Sequence, residues 1–215
     1  SLFVIDAETG TLIREFNLPG STGLASPTMG DYDDDFIDEF AVAGDLNGNL
    51  WRFDLSSTDS TSWSVRKVFQ PATDFEQPIT SAPRLFADPA TGGLIALFGT
   101  GKYLEPIDRT NIGLPTQTLY AVREQGAVKS RADLVEQTLT STAVGSTTIF
   151  EVTDNAVPTS AGGWYIDFLE QGERDVTSAG ALFSLGVAIV STIIPNGDDP
   201  CQPGLRGNVY VLNAP

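Results

Sequence analysis

Histidine is absent from the 215 residues, cysteine and methionine occur once each, and basic residues are scarce. Without histidine the chain cannot build a Ser–His–Asp triad, a His-ligated zinc site or an imidazole pH switch. Cys201, the single cysteine, cannot form an internal disulfide, so it pairs outside this segment or stays free. No run of about eighteen apolar residues occurs, which excludes a membrane-spanning helix. The longest apolar stretch, Ala181 to Ile194, is broken by Ser184, Gly186, Ser191 and Thr192 and reads as a strand pair or one long bent strand. Against 12 basic residues stand 28 acidic ones, for a net charge of −16. That field repels nucleic acid and anionic lipid, which are discounted as direct partners, and favours cations and basic surfaces.

The first residues, Ser1-Leu2-Phe3-Val4-Ile5-Asp6, lack the basic and apolar regions of a signal peptide and begin in a strand-like pattern. The chain is therefore expected to be a piece of a longer polypeptide. Hydrophobic residues make up 41% and charged residues 19%, enough for a packed core. Short β-like segments recur between Gly, Pro, Asn and Asp clusters, which predicts an all-β fold. Leu2 to Asp6 and Thr11 to Phe16 form a hairpin with Gly10 placed for a positive φ. Ala25 to Gly30, Glu39 to Ala43, Asn49 to Leu55 and Trp63 to Phe69 follow as strands.

The unit then repeats. Ser81-Ala82-Pro83-Arg84-Leu85-Phe86 echoes Ala25-Ser26-Pro27-Thr28-Met29, Gly93 to Gly99 echoes Glu39 to Gly44, and Gln117 to Arg123 echoes Asn49 to Leu55. Gly163 to Phe168, Ala179 to Ile194 and Asn208 to Leu212 read as a further set. A period of about 40–50 residues is that of propeller blades, small sheets that bury their faces only by stacking. The predicted architecture is a β-propeller holding a partial set of blades; a β-sandwich is the alternative. Ser130 to Leu139 reads as either a short helix or a polar strand.

The sharpest local signal is Asp31-Tyr32-Asp33-Asp34-Asp35-Phe36-Ile37-Asp38-Glu39. Calcium takes about six to eight oxygen ligands. Alternate residues of a tight loop turn their side chains to one point, so Asp31, Asp33 and Asp35 are expected as ligands, with the Ile37 carbonyl and the Glu39 carboxylate closing the site. Asp34 and Asp38 then point outward. Such a loop shares its first half with an EF-hand but has Phe36 in place of glycine at position six and Val42 in place of glutamate at position twelve. A solvated acidic turn without an ion is the alternative. Asp45, before a turn, is expected to hold backbone amides, and Trp51 to pack between blades. Lys102, Arg109 and Arg174 form either a basic patch or ordinary ion pairs.

Ala43-Gly44-Asp45-Leu46-Asn47-Gly48-Asn49-Leu50-Trp51-Arg52-Phe53-Asp54-Leu55, directly after the acidic loop, resembles the C-terminal β-propeller of the PilY/PilC proteins. Pro78-Ile79-Thr80-Ser81-Ala82-Pro83, Phe98-Gly99-Thr100-Gly101-Lys102-Tyr103-Leu104, Gly163-Trp164-Tyr165-Ile166-Asp167 and Gly172-Glu173-Arg174 extend the likeness over nearly the whole chain. The resemblance implies that residues 1–215 are the later blades of a modified, quinoprotein-like propeller from a type IV pilus biogenesis factor and tip adhesin. It implies a secreted protein at the bacterial surface, pilus tip or outer membrane. Its implied partners are pilus components such as minor pilins, host surface ligands and the upstream remainder of its own polypeptide. It further implies calcium-dependent control of pilus extension, retraction, twitching motility and attachment, and Asp31, Asp33, Asp35, Ile37 and Glu39 as the calcium ligands. Export to an oxidising compartment implies that Cys201 is disulfide-bonded in the longer protein. Val4-Ile5-Asp6-Ala7-Glu8-Thr9-Gly10 is also similar to repeats of quinoprotein dehydrogenases, but the acids form one contiguous loop and no adjacent cysteine pair occurs. The chain is accordingly read as a non-enzyme; a dehydrogenase-like propeller and a generic extracellular ligand-binding propeller are the rival functions.

Overall fold

The structure, a computed structural model, describes residues 1–31, 35–71, 76–110, 113–145, 147–195 and 205–215. Strand formation follows the β-branched and aromatic runs, and turns follow the glycines. β1 (Leu2–Ile5) and β2 (Leu12–Phe16) form the expected hairpin, with Gly10 at φ 71°. β3 (Thr28–Gly30), β4 (Phe40–Gly44), β5 (Leu50–Asp54) and β6 (Ser64–Phe69) form a four-stranded antiparallel meander, the first sheet.

β7 (Arg84–Asp88), β8 (Gly93–Gly99) and β9 (Thr118–Arg123) begin the second sheet. β10 (Val135–Gln137) and the hairpin β11 (Leu139–Val144) with β12 (Thr147–Val152) intervene before β13 (Gly163–Asp167). The second sheet runs β10-β13-β9-β8-β7, with β13 antiparallel to β9 and β10 parallel to β13. β14 (Gly180–Leu182), β15 (Val187–Ser191), β16 (Ile194–Pro195), β17 (Leu205–Arg206) and β18 (Val209–Asn213) complete the chain. Of these, β14-β15-β18 form the third sheet and β16-β17 a short pair.

The repeats fall where the sequence places them: β7, β8 and β9 occupy the places of β3, β4 and β5. One grouping changes. Gly163 to Phe168 does not open the third set; β13 is the fourth strand of the second sheet, with Tyr165 opposite Tyr120. The residues of β10 to β12 inserted before it displace it along the sequence and disguise its membership. Ser130 to Leu139 is neither of the two forms expected alone: a 3-10 turn over Arg131–Asp133 leads into β10. The stretch from Ala181 to Ile194 is a strand pair, folded over a 3-10 turn at Phe183–Leu185.

Stacking explains the composition of the central strands. A sheet covered on both faces needs apolar residues at every position, and β4 and β9 are buried throughout. The two faces serve different neighbours. Phe40 and Val42 pack with Ala96, Phe98, Tyr120 and Val122 between the first and second sheets. Ala41 and Ala43 turn the other way, onto Phe16, Trp51 and Phe53 beneath the β1–β2 hairpin. Ile95, Leu97, Leu119 and Ala121 face the third sheet at Ala188, Val190 and Tyr210. Each fully buried Phe, Val or Leu contributes about 1.5–3 kcal/mol. Phe69, Phe98 and Tyr120 form a ring cluster at the first interface, with centroids 4.8–5.7 Å apart. Backbone bonds stitch the layers: Ile79 N–H to the Asp45 carbonyl at 2.9 Å, Gly101 N–H to that of Pro78 at 2.8 Å, and Asp175 N–H to that of Thr100 at 3.0 Å. The stack is open at both ends. Phe3, Ile5 and Leu12 lie exposed on the β1–β2 hairpin, and Ile189, Val209 and Val211 on the third sheet.

Candidate metal centre

The acidic loop joins β3 to β4, and its ends are fixed by the sheet. Asp31 follows Gly30, which pairs with Phe40. Glu39 N–H donates to the Gly30 carbonyl at 3.0 Å, and the Glu39 carbonyl accepts from Leu55 N–H at 2.7 Å. Between these anchors the chain reverses through Phe36, the one non-glycine residue with positive φ among the described residues, at 69°. Phe36 N–H donates to Asp31 Oδ2 at 2.9 Å and Ile37 N–H to Asp35 Oδ1 at 2.8 Å. The turn therefore points both carboxylates inward.

The outcome is a cluster of Asp31, Asp35 and Glu39 whose oxygens lie within 4.8 Å of one another. Three oxygens so spaced share a centre within about 2.8 Å of each, close to the roughly 2.3–2.6 Å of a calcium–oxygen bond. The donor set is all carboxylate, which suits a hard cation. The residues therefore fit calcium. Asp38 is exposed and outside the cluster, as expected. Ile37 sits in the loop with its side chain exposed. Asp33 and Asp34 lie outside the described residues, as does Cys201.

Asp45 is a buried hub, not part of this centre. Its Oδ1 accepts from the N–H groups of Asn47 at 3.0 Å and Asn49 at 2.9 Å, and its Oδ2 from Trp51 Nε1 at 2.8 Å. The Asp45-x-Asn47-x-Asn49-x-Trp51 pattern is thus a turn that ties β4 to β5. The three basic residues form no patch. Arg174 is buried and donates to the carbonyls of Gly172, Lys102, Asp108 and Thr110 at 2.9–3.1 Å, while Lys102 pairs with Glu105 at 2.8 Å. A cleft of about 680 Å³ lies beside them, lined by Asn47, Gln77, Asp108 and Gln117.

Sequence reading did not single out two buried acids. Glu124 meets Arg52 at 3.0 Å and Arg66 at 3.5 Å between the first two sheets. Burial pushes the Asp175 carboxyl up to about 7, against the opposing pull of N–H donation from Thr177 and Gly99. Glu124 is far in sequence from Arg52 and Arg66, and Asp175 from Gly99 and Thr100, so no local motif marks their burial.

Antiparallel sheets stacked face to face, two of them carrying four-stranded meanders, with both ends of the stack open, define a section of a β-propeller. The profile of the PilY1 beta-propeller domain matches residues 1–157. The chain is 33% identical to the type IV pilus biogenesis factor PilY1 of Pseudomonas aeruginosa, over 99% of this chain and 22% of that protein. It is 27% identical to a homolog of that factor from Xylella fastidiosa, over 99% of this chain and 16% of that protein. The crystal structure of the Pseudomonas aeruginosa PilY1 C-terminal domain matches with a TM-score of 0.80 at 30% identity, covering 99% of this chain and 52% of that one. The chain belongs to the PilY1 β-propeller family. It spans about a fifth of the length of the curated relatives it matches. Those relatives are named as biogenesis factors, not as enzymes.

Proposed function

We propose that residues 1–215 are the C-terminal part of the propeller of a type IV pilus biogenesis factor, and that the loop from Asp31 to Glu39 binds calcium to regulate pilus extension and retraction. The observation that carries this reading is the convergence of Asp31, Asp35 and Glu39 at the foot of the β3–β4 hairpin in a member of the PilY1 family. Asp31, Asp35 and Glu39 hold the ion, with Asp33 and the Ile37 carbonyl as the remaining expected ligands. A bound divalent cation neutralises carboxylates that otherwise repel one another. Asp31 and Glu39 are already fixed at the two ends of the hairpin, so ordering the loop braces the first sheet.

In this reading the longer protein acts at the cell surface, pilus tip or outer membrane, beside minor pilins and host surface ligands, and supports twitching motility and attachment without catalysis. The test is a strain expressing the full-length protein with Asp35→Ala and Glu39→Ala together. Twitching and surface piliation are expected to fall and to lose their response to added calcium. Unchanged calcium-responsive piliation contradicts the proposal.

A further inference from the structure

A continuous set of contacts ties the acidic loop to the second sheet. The two ends of the loop meet each other: a Cβ on Gly30 would overlap the Phe40 ring, so the glycine before Asp31 makes room for the ring that follows Glu39. That ring is fully buried between the first and second sheets. The Arg52 guanidinium lies over it, 4.6 Å from the centroid. Phe40 faces Asp54 across the β4–β5 ladder, and Leu55, the next residue, donates its N–H to the Glu39 carbonyl. Asp54 Oδ2 accepts from Arg52 Nη1 at 2.8 Å. Arg52 is thus held by Phe40 and Asp54, the two residues that border the foot of the loop.

Arg52 is in turn the partner on which Glu124 depends. Glu124 follows β9 in the second sheet, and its side chain is buried. Its Oε2 lies 3.0 Å from Arg52 Nε and 3.5 Å from Nη2 of the more exposed Arg66. Its Oε1 has no hydrogen-bond partner among the described residues. A buried carboxylate is costly unless a cation stays close, and withdrawing one partner of a buried pair is strongly destabilising. A shift of Arg52 therefore weakens the junction between the two sheets.

We propose that the loop from Asp31 to Glu39 controls the junction of the first and second sheets through Phe40, Arg52 and Glu124. An ordered loop fixes the Phe40 ring, the ring and Asp54 fix Arg52, and Arg52 compensates the Glu124 carboxylate. The inference rests on the reading of the loop as a calcium site. It carries that reading from the first sheet into its neighbour and gives the output a direction, toward β9 and not toward the third sheet. Coupling between two sites is reciprocal, so disturbing Arg52 weakens calcium binding. Through-space electrostatics predicts the opposite sign, because the loss of one cation favours the binding of another nearby.

Two measurements on the full-length protein test this at pH 8, where the Glu124 carboxyl, pushed up to about 7 by burial, is ionised. The first is residue-resolved hydrogen exchange in calcium and in chelator. Lys129 N–H donates to the Val68 carbonyl at 2.8 Å and Gln70 N–H to that of Lys129 at 2.9 Å, which joins β6 to the segment after β9. Calcium is expected to slow exchange of these two amides about fivefold or more. The Asp175 amide, at the junction of the second and third sheets, is expected not to change. No slowing at Gln70 and Lys129 overturns the proposal, and so does equal slowing at Asp175, which marks general stabilisation by a ligand. The second is calcium titration calorimetry of the native protein, Arg52→Met and Asp88→Asn, the last breaking the buried Arg123–Asp88 pair of the second sheet. Arg52→Met is expected to bind about fivefold or more weakly, and Asp88→Asn as the native protein does. Equal or tighter binding by Arg52→Met overturns the proposal, as does an equal loss in Asp88→Asn. Native protein that binds calcium without slower exchange at the junction defeats this inference alone; native protein that binds no calcium defeats the calcium reading with it.

Discussion

Phe36 occupies a backbone conformation that a glycine adopts freely, and its side chain is 97% exposed, so no packing within the described residues offsets the strain. A left-handed conformation costs a residue with a Cβ about 1–2 kcal/mol. The same residue donates its N–H to Asp31, so the strained turn lies within the acidic cluster and directs the chain onward from Asp31 toward Glu39. Phe36→Gly is expected to tighten calcium binding by up to about tenfold, the equivalent of 1.4 kcal/mol. Titration calorimetry on both proteins checks this, and equal affinities would mean that Phe36 takes on no additional strain when the ion binds. Asp45, in the β4–β5 turn at the other end of β4, shows the opposite case. Its oxygens are filled by Asn47, Asn49 and Trp51, leaving it a scaffold role.

At the scale of elements, close approach governs the second sheet. Gly163 opens β13 at φ 129°, and a Cβ there would strike the Ala121 carbonyl oxygen of β9. Gly163→Ala is expected to cost about 3–4 kcal/mol. That lowers the melting temperature by about 10 °C, measured by calorimetric or circular-dichroism melting. The strands of the first two sheets other than β10 were legible because their apolar runs and punctuating glycines are local. Asp31, Asp35 and Glu39 were legible for the same reason, since nine consecutive residues contain the whole cluster. The β11–β12 hairpin was not, because most of its residues are exposed, half are polar, and only Phe150 and Val152 at its end alternate against the core. The place of β13 was hidden because strand pairing ignores the length of an insertion. Glu124 and Asp175 were hidden because their surroundings come from separate sheets.

The molecule as a whole is a stack whose layers are joined at apolar faces and at a few buried polar groups. Asp175 is one of these, at the junction of the second and third sheets. Its folded carboxyl keeps its proton to about 7, whereas the ordinary value is 3.8. The folded state therefore binds more protons across that window, and stability declines as pH rises from about 4 to about 7. Asp175→Asn is expected to flatten this decline, melting above the native protein at pH 8 and close to it at pH 4; parallel melts across the range check it. The loop at the foot of β3 and β4 remains the feature on which the functional reading depends. The direct measurement is calcium titration calorimetry of the chelator-treated protein beside its Asp35→Asn, Glu39→Gln variant. We expect saturable one-to-one binding in the native protein and none at this site in the variant; equal heats from both would contradict the assignment of calcium to Asp31, Asp35 and Glu39.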